Sequence, residues 1–402
     1  MASYLQFLGC TGAQPKELTP EQKQALRDSL LNVHKRTLAL KWSLGYEPYK
    51  QGDYAKAKRY FRQVAQIDTT GVYGKILYQL LGDCYVRLNV PDSAEWAYTT
   101  GVARLPDNPY FYRALGYIYR IGGRTDEAIQ MYETLTTLEP DSAGHYATLG
   151  ELYVNLDDID TAIENLNTAV RLNPNDIKSQ EILSSLLSTL GDIDQVIATQ
   201  EGLVQNEPTN RKYRADLAQS YHKAGYFEDA VEQLKVVTEN QPSNIVALEL
   251  LGDSYQQIEQ YNNAVTVYQN ILAVNSEDKK NICNLAICHM YLGRYTTAMS
   301  QVRNALRLDS NYGLAYLTRG MIYETAAERC VDNKADGKIA FDDKLVYKLA
   351  YDEFQKARQD LQWKSDAERR ASYVQPYLPT RSDYFMNDER KSPQGACYEW
   401  IN

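Results

Sequence analysis

The stretch Pro109–Pro174, PYFYRALGYIYRIGGRTDEAIQMYETLTTLEPDSAGHYATLGELYVNLDDIDTAIENLNTAVRLNP, decides the fold. It is one pattern read twice, 34 residues apart: Leu115-Gly116 returns as Leu149-Gly150, Tyr119 as Tyr153, Ala128 as Ala162, and Pro140 as Pro174. Two helices can cross closely only where small side chains meet, and large apolar residues at i+3 and i+4 fill the space around the crossing. A proline then ends the second helix, because it has no N–H to donate. One such pair cannot bury its own apolar face, so neighbouring pairs must stack.

Outward from this stretch the register holds. Leu44-Gly45, Leu81-Gly82 and Leu251-Gly252 share the Leu-Gly column, and Ser184, Ala218, Ala286 and Gly320 fill it elsewhere, which makes nine units. Twelve residues later comes a second small residue: Ala57, Ala94, Ala128, Ala162, Val196, Ala230, Ala264 or Ala298. A large residue usually follows four further on, as at Phe61, Tyr98, Tyr132, Leu166, Leu234 and Tyr268. Gly52-Asp53, Gly123-Arg124, Gly191-Asp192, Gly225-Tyr226 and Gly293-Arg294 punctuate the pairs, and Pro106, Pro140, Pro174, Pro208 and Pro242 close units. The fifth unit departs most: Leu187 replaces the usual Tyr, Val196 the Ala and Gln200 the large apolar residue. Pro48 falls inside an expected first helix, which it should kink or shorten.

The pattern resembles the tetratricopeptide repeat (TPR) family over residues 38–326, and its second-helix half recurs at 344–360. The resemblance implies an all-α, right-handed α-solenoid of about nine TPR helix pairs, with an N-terminal capping helix and a partly irregular C-terminal tail. Repeats are expected to start near 38, 75, 109, 143, 177, 211, 245, 279 and 313, with an insertion at about 327–344. Residues 1–18 form a flexible N-terminal segment. Thr19-Pro20-Glu21 supplies an N-cap and a helix-starting proline for a capping helix over 19–36. The tail, 361–402, is too apolar for a solvated linker and either caps the last helices or docks elsewhere.

In this family the first helices line a concave groove through register positions 2, 5, 9 and 12, which share one helix face. The resemblance therefore implies a partner-binding set of Trp42 and Tyr46 in the first repeat, Asp83 and Arg87 in the second, and Tyr110, Arg113, Tyr117 and Arg120 in the third. Aromatic and arginine side chains are what peptide hot spots are made of. Beyond them Glu151, Glu181, Glu249 and Asp253 alternate with Lys178, Lys212 and Lys280, suggesting a groove that reads both signs of charge. The Lys and Asn set with which part of the family clamps C-terminal carboxylates is not present at the matching positions.

The net charge of −9 and the lack of a Lys/Arg run make nucleic acid an unexpected partner. No run is apolar enough to span a bilayer. Phe7-Leu8-Gly9-Cys10 resembles a bacterial lipobox, with a tether-like Thr11–Pro15 after it, although no positive region precedes it and the apolar stretch is short. Cys10 is thus a candidate lipidation site, which would place the chain in the periplasm at the outer membrane; otherwise a cytoplasmic location is expected. Cys283 and Cys288 lie roughly 140° apart around a helix, unsuited to one ion, and Cys84 and Cys288 occupy a core column; no metal and no cofactor are expected. Asp332–Asp343 resembles a degenerate EF-hand loop, but Lys334 puts a cation where a ligand should be, so an exposed turn-rich loop is the preferred reading. Cys330 and Cys397 can pair if the compartment is oxidising. No HExxH, GxGxxG, phosphate-loop or GxSxG motif occurs, so the expected role is binding a protein or peptide rather than catalysis.

Overall fold

A computed structural model describes residues 18–240 and 243–401 of the chain. Cys10, nearly all of the 1–18 segment and Pro242 lie outside the described residues. Among those described, helices and turns are the only regular structure.

The helices come in pairs. The first four pairs are Pro20–Lys50 (α1) with Tyr54–Ile67 (α2), Gly74–Arg87 (α3) with Pro91–Arg104 (α4), Pro109–Ile121 (α5) with Thr125–Leu138 (α6), and Ala143–Asn155 (α7) with Ile159–Leu172 (α8). Then come Ile177–Leu190 (α9) with Ile193–Asn206 (α10), Arg211–Ala224 (α11) with Phe227–Asn240 (α12), Ile245–Gln257 (α13) with Tyr261–Val274 (α14), and Lys279–Tyr291 (α15) with Tyr295–Leu308 (α16). Gly313–Asp332 (α17) and Phe341–Ala357 (α18) form the ninth pair, followed by Lys364–Val374 (α19) and Arg381–Met386 (α20). The chain divides into two compact units between Ser179 and Gln180. In each, helices pack on their sequence neighbours, as a solenoid of repeats requires.

The crossings obey the size rule read from the sequence. A Cβ on Gly82 would sit 2.2 Å from the Tyr98 ring, and one on Gly320 would sit 2.4 Å from the Phe354 ring. Phe61, Leu81, Phe111 and Leu135 are buried in the first unit's core, and Ile282, Val302, Phe354 and Val374 in the second's. The turn inside each pair has its own column. Gly123, Gly191, Gly225 and Gly293 take positive φ, and at the same register Asn89, Asp157 and Glu259 do so at 56°, 61° and 59°. The left-handed turn is therefore kept even where glycine is absent.

Three expectations need correction. Residues 19–36 do not form a separate cap: they begin α1, which runs unbroken to Lys50 with a capping box between Thr19 and Gln22. Apart from half-buried His34 these residues are exposed, and the first buried side chain is Leu38. Pro48 does not shorten α1: it is buried inside the helix, which continues two residues past it. The insertion is partly helical, because it lengthens both helices of the ninth pair and leaves only residues 333–340 as loop.

That loop is not simply exposed. Asp343 is fully buried and accepts hydrogen bonds from the Ala340 N–H (2.6 Å), the Tyr398 hydroxyl (2.6 Å) and Lys334. Lys334 thus supplies the positive charge that a bound cation would bring, and Asp342 is taken by Arg390 at 2.5 Å. The tail closes on the ninth repeat. Arg370 pairs with Glu324 at 2.8 Å, Trp400 stacks on Tyr295 and Tyr323, and a disulfide joins Cys330 to Cys397.

Candidate partner-binding site

The first unit's site is built around one carboxylate. Asp83 lies on α3, one residue past the small Gly82 that lets Tyr98 of α4 approach. Its oxygens accept hydrogen bonds from the hydroxyls of Tyr49 (3.1 Å), Tyr98 (2.8 Å) and Tyr110. These come from α1, α4 and α5, so one residue ties three successive repeats together. Burial first, and then the Asp83 charge, raise the pKa of Tyr49 and Tyr98 well above the ordinary phenol value. For Tyr110, burial leads and the hydrogen bond to Asp83 follows.

This cluster changes the reading of two candidates. Asp83 and Tyr110 are half-buried, and their polar atoms are committed to each other. Trp42 is packed as well: its ring stacks on Tyr73 at 4.1 Å and lies 5.9 Å from Tyr46. Trp42, Asp83 and Tyr110, with Tyr46 and Tyr49 beside them, form a rigid floor. Tyr49, at the last of the four groove-facing register positions in the first repeat, and Tyr98, expected only as a large core residue, complete it. A sequence signal for the Asp–Tyr pairing exists, because Leu-Gly-Asp followed fifteen residues on by Tyr occurs at 81–98 and again at 251–268. In the second unit the Tyr268 hydroxyl indeed donates to Asp253 at 2.6 Å.

Arg87, Arg113, Tyr117 and Arg120 are exposed. Arg113 pairs with Glu139 at 3.2 Å, whereas Arg87 and Arg120 form no ion pair among the described residues. Tyr117 is 48% exposed, a large aromatic surface in such a row.

The charges expected to form a two-signed groove are paired with one another instead. Lys178 pairs with Glu151 at 2.5 Å, Lys212 with Glu181 at 3.7 Å, and Lys280 with Glu249 at 3.2 Å. Each pair joins one repeat's first helix to the next. Exposed pairs of this kind contribute little stability, roughly 0–1 kcal/mol each, but they cancel the alternation that a ligand would otherwise meet.

Cys84, Cys283 and Cys288 are fully buried, and burial pushes each thiol up to about 12. No group of three or more metal-ligating side chains occurs among the described residues. No described helix is long and apolar enough to cross a membrane.

Family models described as tetratricopeptide repeat match residues 40–70, 80–143, 121–186 and 247–281. No curated protein matches the chain. Among solved structures, MamA is 24% identical over 40% of this chain and 93% of its own, with a TM-score of 0.34. YrrB, described as a TPR protein with an unusual peptide-binding site, is 20% identical over 47% of this chain and 96% of its own, with a TM-score of 0.37. A tetratricopeptide repeat protein from Parabacteroides merdae is 14% identical over 66% of this chain and 98% of its own, with a TM-score of 0.35. With its helix pairs in a 34-residue register and four repeat models matching within that register, the chain belongs to the tetratricopeptide repeat family.

Proposed function

We propose that this protein is a non-catalytic interaction scaffold that holds a segment of a partner protein on the face shared by the first helices of repeats one to three. The observation carrying this reading is the exposed Tyr117 on α5, with exposed Arg120 one helical turn on and exposed Arg87 on α3, two cations that form no ion pair among the described residues, in repeats that Asp83 ties together. A tyrosine ring loses little freedom on binding, and Arg can grip a carboxylate with two hydrogen bonds. The partner segment they suit is acidic and carries an apolar or aromatic side chain to lie on Tyr117. A Tyr117→Ala/Arg120→Ala chain with unchanged helicity should lose at least tenfold in affinity for a partner captured by the native chain. Unchanged affinity would remove the patch from consideration.

A second reading has one observation behind it. The Cys330–Cys397 disulfide is of the kind that persists in oxidising compartments. It supports an accessory role in a bacterial cell envelope, with Cys10 as the lipidated residue. Mass spectrometry of the native protein decides this: an acylated Cys10 supports the envelope role, and an intact Met1 with free thiols at 330 and 397 counts against it.

A further inference from the structure

The fifth repeat is hollow, and the hollow is polar. Elsewhere the crossing is filled by a small residue facing a large apolar one: Gly82 with Tyr98, Gly116 with Tyr132, Gly150 with Leu166, Gly252 with Tyr268. In the fifth repeat the same two columns hold Ser184 and Gln200, and a serine–glutamine pair cannot close the gap as a ring does. The outcome is a pocket of about 560 Å³, wholly inside the second unit and walled by α9, α10 and α11. Natural interiors leave few voids larger than a water molecule, so a cleft of this size at a helix crossing is a departure that the sequence wrote in.

Its chemistry is graded with depth. At the bottom, Gln200 is only 8% exposed and its Oε1 is buried without a hydrogen-bond partner. Ser184 and Ser220, both buried, add hydroxyls beside it. Also lining it is half-buried Asp216, whose pKa is raised by desolvation, the nearby Lys212 only partly offsetting this. At the rim, Lys212 is turned to Glu181 and to the Tyr213 ring, and Lys223 is exposed. The interior therefore holds one buried acceptor without a donor, Gln200 Oε1, and a partly desolvated carboxylate, while the cations stay at the mouth. A buried carbonyl oxygen and a partly desolvated carboxylate are both costly until a donor reaches them.

We infer that this pocket is a subsite for a side chain rich in N–H donors, the guanidinium of an arginine, carried by a segment lying along the first helices of the second unit. A planar fork offers five N–H donors to the Asp216 carboxylate, the Gln200 oxygen and the serine hydroxyls, against three from a lysine ammonium and two from a glutamine amide. This deepens the scaffold reading and rests on it, but it concerns a different unit and the opposite ligand charge from the Tyr117 patch.

The test is calorimetric titration of the full chain with N-acetyl-arginine amide, with the lysine, glutamine and leucine amides as comparisons. The expected result is saturable, millimolar binding of the arginine compound, at least fivefold tighter than the other three. Asp216→Asn should weaken it at least fivefold. Ser184→Gly/Gln200→Tyr, which restores the usual crossing, should abolish it and raise the melting temperature. Asp216→Asn keeps the test decisive if the double variant folds poorly. Equal binding of all four amides, no binding at all, or an Asp216→Asn chain that binds like wild type overturns the assignment. Tyr117→Ala/Arg120→Ala must leave arginine-amide binding intact, so failure of the first-unit patch and failure of this pocket are told apart.

Discussion

At the scale of single residues, Asp83 is the most consequential side chain in the first unit. Three tyrosine hydroxyls donate to it, and removing it takes an acceptor from each, with the Tyr98–Tyr110 contact left to compensate in part. Asp83→Ala should cost about 2–3 kcal/mol in all: an orphaned buried donor costs roughly 1–3 kcal/mol, and water reaching the part-exposed hydroxyls lessens the sum. Tyr98→Phe removes one bond and should cost about 1 kcal/mol. Urea unfolding monitored by circular dichroism measures both.

The same cluster gives a pH dependence. The fold raises the pKa of Tyr49, Tyr98 and Tyr110, so it favours their protonated forms. Their contribution is complete below the ordinary tyrosine pKa of about 10 and disappears as pH climbs through the raised values. Alkaline titration of tyrosinate absorbance should therefore show a group of tyrosines that ionise only as the helices melt. In Asp83→Ala that group should be smaller. A single smooth titration of all 33 tyrosines in the native chain would contradict the cluster.

At the scale of elements, the turn inside each pair is set by geometry more than by residue type. Gly225 ends α11 at φ 88°, where glycine has no Cβ to strain, while Glu259 holds the equivalent position between α13 and α14 at 59°. A side chain there costs about 1–2 kcal/mol relative to a right-handed conformation. Glu259→Gly should thus raise stability by about 1 kcal/mol, and Gly225→Ala should lower it by a similar amount, read from thermal melts. The pairs themselves were legible because the close crossing needs a small residue and nothing else serves. The extent of α1 was not. Ser29 to Arg36 carry no helix breaker and join the first repeat's helix without a stop signal, so the boundary expected near 36 had no physical basis.

At the scale of the whole molecule, the tail matters most. Tyr398, Cys397 and Trp400 fasten it to the ninth repeat through a buried hydrogen bond, a disulfide and aromatic stacking. Cys330→Ser should lower the stability of this end by about 2–4 kcal/mol, as loss of a long-loop disulfide does. Limited proteolysis should then release the tail earlier than in the native chain, and a reductant should have the same effect on wild type. Cys84, Cys283 and Cys288 should stay unreactive toward thiol reagents until unfolding, because their thiolates are disfavoured by burial.

The amino-acid sequence by itself determined the helical repeat, its register, the buried place of Cys84 and Cys288, and the weak fifth unit. Those follow from local volume and periodicity, which a linear string carries. Tertiary structure alone decided which polar groups spend themselves on one another. Asp83 and Tyr110 are joined, Glu151, Glu181 and Glu249 are matched by lysines of the following repeats, and Asp343 is held by Lys334 and Tyr398. The reason is that hydrogen bonds and ion pairs depend on distances of a few ångströms between residues far apart in the chain. A position on a helix face cannot say whether its partner is a ligand or the neighbouring repeat.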